Sequence, residues 1–246
     1  MRSYAIGDIH GHLDKLLEVQ DRVAADKAQV GDRYAPVVHL GDFVDRGPDS
    51  AGVLTHLARG VAAGAPWVLM KGNHDRLMRL FLYEDPRPDP ARPGVIWLDR
   101  SVGGRETLAS YGIDVSPDVP IAEIHAQALA RVPQDHVDLL DALKPGFRYG
   151  GVFFCHAGIL PGVALEAQIE DDLIWIRDLF HMDRRDHGAL IVHGHTPIKA
   201  VTHYGNRVNL DTGAAYGGPL SAVVIEGGAV FVLTEDGRRP LLPKGR

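Results

Sequence analysis

Tyr4-Ala5-Ile6-Gly7-Asp8-Ile9-His10-Gly11 is a short apolar run that ends in a carboxylate and an imidazole two residues apart. The run reads as a strand over residues 3–7, and Asp8 and His10 as its extended exit. Period-two geometry points both side chains the same way, so one cation can take both. The pattern recurs. Residues 36–40 lead into Gly41-Asp42-Phe43-Val44-Asp45-Arg46-Gly47, and residues 66–70 into Gly72-Asn73-His74-Asp75. Helical stretches separate these strands. Residues 12–28 place Leu13, Leu16, Leu17, Val19 and Val23 near one side, residues 50–63 space Val53, Leu54 and Leu57 helically, and a third helix covers about 74–83. The βαβαβα order predicts parallel strands, right-handed crossovers and a layered α/β fold. Ligands of such sheets collect at the carboxyl ends of the strands, so residues distant in sequence converge on one edge.

The second half turns strand-rich. Residues 152–154, 190–192, 200–203, 207–210, 221–226 and 229–233 read as strands, with Gly227-Gly228 as a hairpin signal. Two of these runs lead into His156-Ala157-Gly158 and Gly194-His195-Thr196. Two packed sheets flanked by helices accommodate both halves. Residues 84–104, rich in Pro, Arg and Asp, read as a surface loop, either bordering the site or a plain connector. Residues 117–145 read as a Pro-bounded helical pair, a substrate-shaping lobe or a packing insert.

The 246 residues suit one domain spanning 1–246, and 45% apolar content supports a sizeable core. No apolar run approaches the roughly 20 residues of a membrane span. No secretory signal precedes the first strand, and the lone Cys155 excludes an internal disulfide framework. A cytoplasmic protein that does not act on membranes is the simplest reading. The formal charge of −6 argues against a general nucleic-acid binder. It leaves an anionic substrate open, because two divalent cations would make their pocket locally positive.

The motifs supply hard oxygen and borderline nitrogen donors. Asp42 can bridge two ions through its two oxygens, Asn73 offers a carbonyl oxygen, and His156 and His195 offer imidazole nitrogen. A mixed set without thiolate suits manganese, with iron and zinc as the other candidates, better than an all-oxygen calcium cage. His74 adjoins Asn73, and Asp45 lies three residues beyond Asp42. A carboxylate beside an imidazole favours the protonated ring, which fits a general acid. Arg46, in the same loop, offers a planar fork for phosphate. This equipment points to metal-assisted hydrolysis of a phosphate ester. Cys155, in an apolar run, reads as inert. Asp211 reads as a structural turn, and Tyr216 with its glycines as a loop at the pocket mouth.

The five motifs, spanning residues 7–196, resemble those of the phosphoprotein phosphatases within the calcineurin-like metallophosphoesterases. The resemblance implies a four-layer α/β/β/α sandwich, here with a small helical insert. It also implies a dinuclear centre whose bridging water or hydroxide is the nucleophile. It places Asp8, His10 and Asp42 on one ion and Asp42, Asn73, His156 and His195 on the other. It pairs His74 with Asp45, and likens Arg177 to the second phosphate-contacting arginine of the bacterial branch. Pro197 stands where many wider metallophosphoesterases carry a further histidine ligand. The expected activity is serine/threonine protein phosphatase, extending to tyrosine, with a phosphorylated protein or peptide as substrate. The rival is symmetrical cleavage of diadenosine tetraphosphate by a sister group that commonly has Ala in place of Asp45. A non-catalytic metal-binding scaffold is the remote alternative.

Overall fold

A computed structural model of the protein describes residues 1–244. One sheet holds β1 (Arg2–Ile6), β2 (Val37–His39), β3 (Trp67–Leu69), β9 (Ala222–Glu226), β10 (Ala229–Thr234) and β11 (Gly237–Pro240). The other holds β4 (Gly146–Tyr149), β5 (Val152–Cys155), β6 (Leu190–His193), β7 (Thr202–His203) and β8 (Arg207–Asn209). Their spatial orders are β11-β10-β9-β1-β2-β3 and β4-β5-β6-β8-β7. The helices are α1 (Leu13–Gln29), α2 (Ser50–Ala62), α3 (Asn73–Phe81), α4 (Gly104–Ser110), α5 (Ile121–Arg131), α6 (Gln134–Ala142), α7 (Glu170–Trp175) and α8 (Asp178–His181).

Strand periodicity builds the layers. Tyr4, Ile6 and Val37 pack outward against Leu16, Val19 and Val23 of α1 and Val53, Leu54 and Leu57 of α2. Their neighbours Ala5 and Val38 turn inward onto Val152, Phe154, Val192 and Val208 of the second sheet. Phe153, Cys155 and Ile191 face the other way, against Leu173, Ile174 and Phe180 of α7 and α8. The result is the α/β/β/α sandwich, with a dry seam between the sheets. Each fully buried Leu, Ile, Val or Phe in these layers stabilises by about 1.5–3 kcal/mol.

The parallel register places the motifs together. β1, β2 and β3 run parallel, as do β5 and β6, so the chain leaves every motif strand at one edge of the sandwich. The Pro-bounded helical pair is present as α5 and α6. Three features depart from the sequence reading. Residues 84–104 are not simply a surface loop, since Asp89, Trp97 and Leu98 are buried. Beyond the last expected strand lies a further one, β11, paired antiparallel with β10. β4 also went unread: Phe147 and Tyr149 alternate with exposed Arg148, but the run is only four residues long. Among the described residues, no helix is long and apolar enough to cross a membrane.

Candidate metal centre

Two clusters of donor atoms share Asp42. One joins His10, Asp42 and His74; the other joins Asp42, His156 and His195, all buried. His10 Nε2 lies 3.4 Å and His156 Nε2 3.3 Å from Asp42 Oδ2. His156 Nε2 is also 3.1 Å from Asn73 Oδ1 and 3.2 Å from His195 Nδ1. The first cluster differs from expectation by drawing in His74, while Asp8 stands beside the two groups rather than in them. Asp8 Oδ2 accepts the His195 backbone N–H at 2.9 Å.

Backbone carbonyls orient the rings. His10 Nδ1 donates to Val44 O and His156 Nδ1 to Leu40 O, both at 2.9 Å. A carbonyl can only accept, so Nδ1 carries a proton in each ring and Nε2 is the nitrogen turned into the cluster, where a metal would take it. The loops are strained to do this. His10, Asp42, Asp45, Arg46 and His195 all have φ between 46° and 75°, and they are the only non-glycine residues with positive φ among those described. Left-handed backbone at five such residues, all gathered here, marks a functional constraint. Two glycines are needed for close approach. A Cβ on Gly72 would fall 2.1 Å from Asp42 Oδ1, and one on Gly194 1.9 Å from Asp8 Oδ1.

The cluster's electrostatics call for positive charge. Burial opposes a charged ring at His156, but Asp42 and Asp8 outweigh it and lift the group to about 10. Burial likewise opposes ionisation of Asp42, yet His156, His74 and His10 hold it well below the usual carboxylate range. Burial, with Asp211 and Asp42 nearby, pushes Asp8 well up. Burial keeps His10 and His195 neutral. Asp8 Oδ1 and His195 Nε2 are buried without a hydrogen-bond partner. Orphaned donors of this kind, around a carboxylate shared by two clusters, fit divalent cations.

Beside the cluster, His74 Nδ1 donates to Asp45 Oδ2 at 2.6 Å. Asp45 is fully buried and also accepts from Trp97 Nε1 at 3.0 Å and Thr107 Oγ1 at 2.8 Å. Burial pushes His74 down to about 4 and Asp45 well up. Both directions express one fact: the pair resists net charge and keeps one exchangeable proton between them. The donors on Asp45 oppose part of its rise and favour its carboxylate form, the form that would hold a proton on the ring. Arg46 Nη1 reaches His10 Nε2 at 2.9 Å. Arg177 is exposed just before α8, and its charge is felt at His74 and His195.

The structure therefore gathers Asp8, His10, Asp42, Asp45, Arg46, Asn73, His74, His156 and His195, with Arg177 at the rim. The sequence reading missed three supports. Asp75 accepts the backbone N–H groups of Asp42, Phe43 and Gly72 at 2.8–2.9 Å. Its place in Gly72-Asn73-His74-Asp75 was the available signal. Trp97 and Thr107 carried no local signal. Asp211 caps its own turn through Gly213 N at 3.0 Å, as the turn reading has it, and it also acts on Asp8. His193 Nε2 bonds Arg207 at 3.1 Å and lies outside both donor clusters.

Residues 1–225 match the family described as calcineurin-like phosphoesterase. The chain belongs to that family. This metallophosphoesterase is 26% identical over 233 residues to the asymmetrical bis(5'-nucleosyl)-tetraphosphatase PrpE of Bacillus velezensis, covering 88% of this chain and 86% of that one. It is 28% identical to the protein of the same name from Bacillus thuringiensis, covering 91% and 90%. Among solved structures it resembles the cold-active protein-tyrosine phosphatase of a psychrophilic Shewanella. There the TM-score is 0.64 at 16% identity, with 98% of this chain and 80% of that chain covered. That likeness establishes shared fold. These curated relatives carry a tetraphosphatase name, not a protein phosphatase name, so they bear out the family part of the sequence expectation and lend no support to its narrower branch.

Proposed function

We propose that this metallophosphoesterase is a dinucleoside tetraphosphate hydrolase that cleaves asymmetrically. The observation that carries the reading is the likeness to the Bacillus tetraphosphatases across some nine-tenths of the chain. Asp45, which favoured a protein phosphatase on sequence alone, loses that weight. In the structure it is a buried hydrogen-bond hub that orients His74, a service useful for any leaving group.

Asp8, His10 and Asp42 would hold one cation and Asp42, Asn73, His156 and His195 the other; manganese is the ion we assign. Two such ions, when bound, supply Lewis acidity to phosphoryl oxygens and acidify water near neutral pH. Arg46 and Arg177 bind the remaining phosphoryl oxygens, with Asn73 beside them. His74, held by Asp45, gives its proton to the bridging oxygen that departs. Asp45 in turn is fixed by Trp97 and Thr107, which keeps the ring aimed without a mobile carboxylate.

The test is product analysis. Protein stripped of metal and reloaded with Mn²⁺ is given diadenosine tetraphosphate or phosphoserine, phosphothreonine and phosphotyrosine peptides, with chromatographic readout. Equal amounts of ATP and AMP, formed faster than phosphate from any peptide, are expected. ADP as sole product would make cleavage symmetrical, and faster peptide turnover would restore the protein phosphatase reading.

A further inference from the structure

The loop after β8 is built to hold an aromatic ring in solvent. Asp211 Oδ1 accepts Gly213 N at 3.0 Å, and Tyr216 N bonds Gly213 O at 2.8 Å. Lys15 Nζ donates to Ala214 O at 3.0 Å and to Gly218 O at 2.9 Å. Gly213 and Gly217 supply left-handed backbone on either side. Despite this pinning, Tyr216 is 65% exposed. Four hydrogen bonds thus fix a loop whose aromatic ring stays largely in solvent.

The ring's place suggests which ligand. Arg46 Cζ lies over the Tyr216 ring at 5.3 Å, and Arg46 Nη1 is 2.9 Å from His10 Nε2. One guanidinium therefore bridges the aromatic ring and the donor cluster. A phosphate held by Arg46 has its own nucleoside within reach of Tyr216, because only the ribose separates a base from its α-phosphorus. A β-phosphorus is one phosphoanhydride further from the same base.

We propose that Tyr216 is the stacking platform for the base of the nucleoside whose α-phosphorus is attacked, and that it thereby sets an asymmetrical register. The proposal rests on the dinucleotide reading above. In this register the oxygen of water joins the α-phosphorus and the bond from that phosphorus to the bridging oxygen breaks. The nucleoside monophosphate remains beside Tyr216. The other nucleoside leaves as its triphosphate, with the bridging oxygen and the proton from His74; one proton of water restores His74 and the other goes to solvent. A substrate shifted by one phosphate would give two nucleoside diphosphates instead.

Calorimetric titration of the Mn²⁺-loaded protein with AMP and with inorganic phosphate tests the platform, alongside kinetics and product analysis on diadenosine tetraphosphate. Tyr216→Ala is expected to weaken AMP about tenfold, the scale of one base–aromatic stack, with phosphate affinity held within about twofold. KM for the dinucleotide should rise about tenfold and ADP should appear among the products. Tyr216→Phe, which keeps the ring, should behave like the parent. Equal weakening of AMP and phosphate would overturn the proposal, since the ring would then only support Arg46 through a cation–π contact. Unchanged AMP affinity and unchanged products would overturn it too. A parent protein that binds AMP no better than phosphate and ignores the dinucleotide would instead sink the dinucleotide reading itself.

Discussion

Two regions of this molecule bury charge, and they treat it in opposite ways. Around Asp26, every carboxylate oxygen is answered, although Arg2 Nε has no partner. Arg238 Nε and Nη2 bond the two Asp26 oxygens at 2.6 and 2.9 Å, Tyr4 Oη donates to Asp26 Oδ2 at 2.7 Å, and Glu226 takes Arg238 and Arg2 at 2.6 and 2.5 Å. Around Asp42, carboxylates crowd one another, two donor atoms are orphaned, and five loop residues carry left-handed backbone. The first region holds β11, β9 and α1 together. The second spends stability to keep a cation-seeking pocket. An ion cluster that satisfies itself is structural, whereas one that leaves matched vacancies of hydrogen bonding is a site.

Neutralising one member of the second region should break the contrast most sharply. Asp8→Asn should lower turnover on every substrate by on the order of 10³-fold, through lost cation binding seen directly by elemental analysis. The metal-free variant should nevertheless melt about 2–4 °C higher than the metal-free parent. The sign follows from Asp8's raised pKa. A carboxyl that prefers its proton when folded destabilises the fold once pH exceeds its ordinary unfolded value, and asparagine removes that penalty. A variant that loses both activity and thermal stability would show Asp8 to be a structural group.

His74→Asn sharpens the comparison within the site. If His74 supplies the proton, the loss scales with leaving-group basicity. The variant should lose about 10²-fold on phosphoserine, about tenfold on the dinucleotide, whose triphosphate departs more readily, and only a few-fold on nitrophenyl phosphate. Equal losses on all three would leave the His74 ring as a support for the cluster it forms with His10 and Asp42.

The layered fold and the donor set were legible because each motif is local: strand, turn and ligand lie within a few residues, as in Ile6-Gly7-Asp8-Ile9-His10. What lay hidden was non-local. Trp97 and Thr107 reach Asp45 across 52 and 62 residues, and nothing adjacent to either announces it. Asp75 was in plain view, yet its role is to hold backbone N–H groups, which a ligand-directed reading overlooks. β11 hides for a related reason. Gly237-Arg238-Arg239-Pro240 earns its place by pairing with β10 and by the Asp26 and Glu226 contacts, not by apolar alternation. The choice between phosphoprotein and dinucleotide was not legible, because phosphate-holding residues do not read the leaving group.

The smallest effects should come from the self-satisfied region, and they should leave catalysis untouched. Arg238→Ala strands Asp26, whose side chain is only 5% exposed, and should cost about 2 kcal/mol in denaturant unfolding at pH 7 with unchanged kcat/KM. Glu226→Gln cuts the same network where it is 38% exposed, so solvent screening should hold its cost below about 1 kcal/mol. Acid supplies the cross-check. Burial pushes Asp26 up, but Arg238 and Tyr4 outweigh it and hold the group below its usual value. Its stabilisation is thus present above the ordinary carboxylate pKa near 4 and is lost as pH falls through the lowered folded value. The gap in stability between parent and Arg238→Ala should therefore shrink as the solution is acidified below about pH 4. A gap that stayed constant with pH would mean that Arg238 acts through its guanidinium over the Phe231 ring, and the two regions would differ in degree of burial, not in how they answer carboxylate charge.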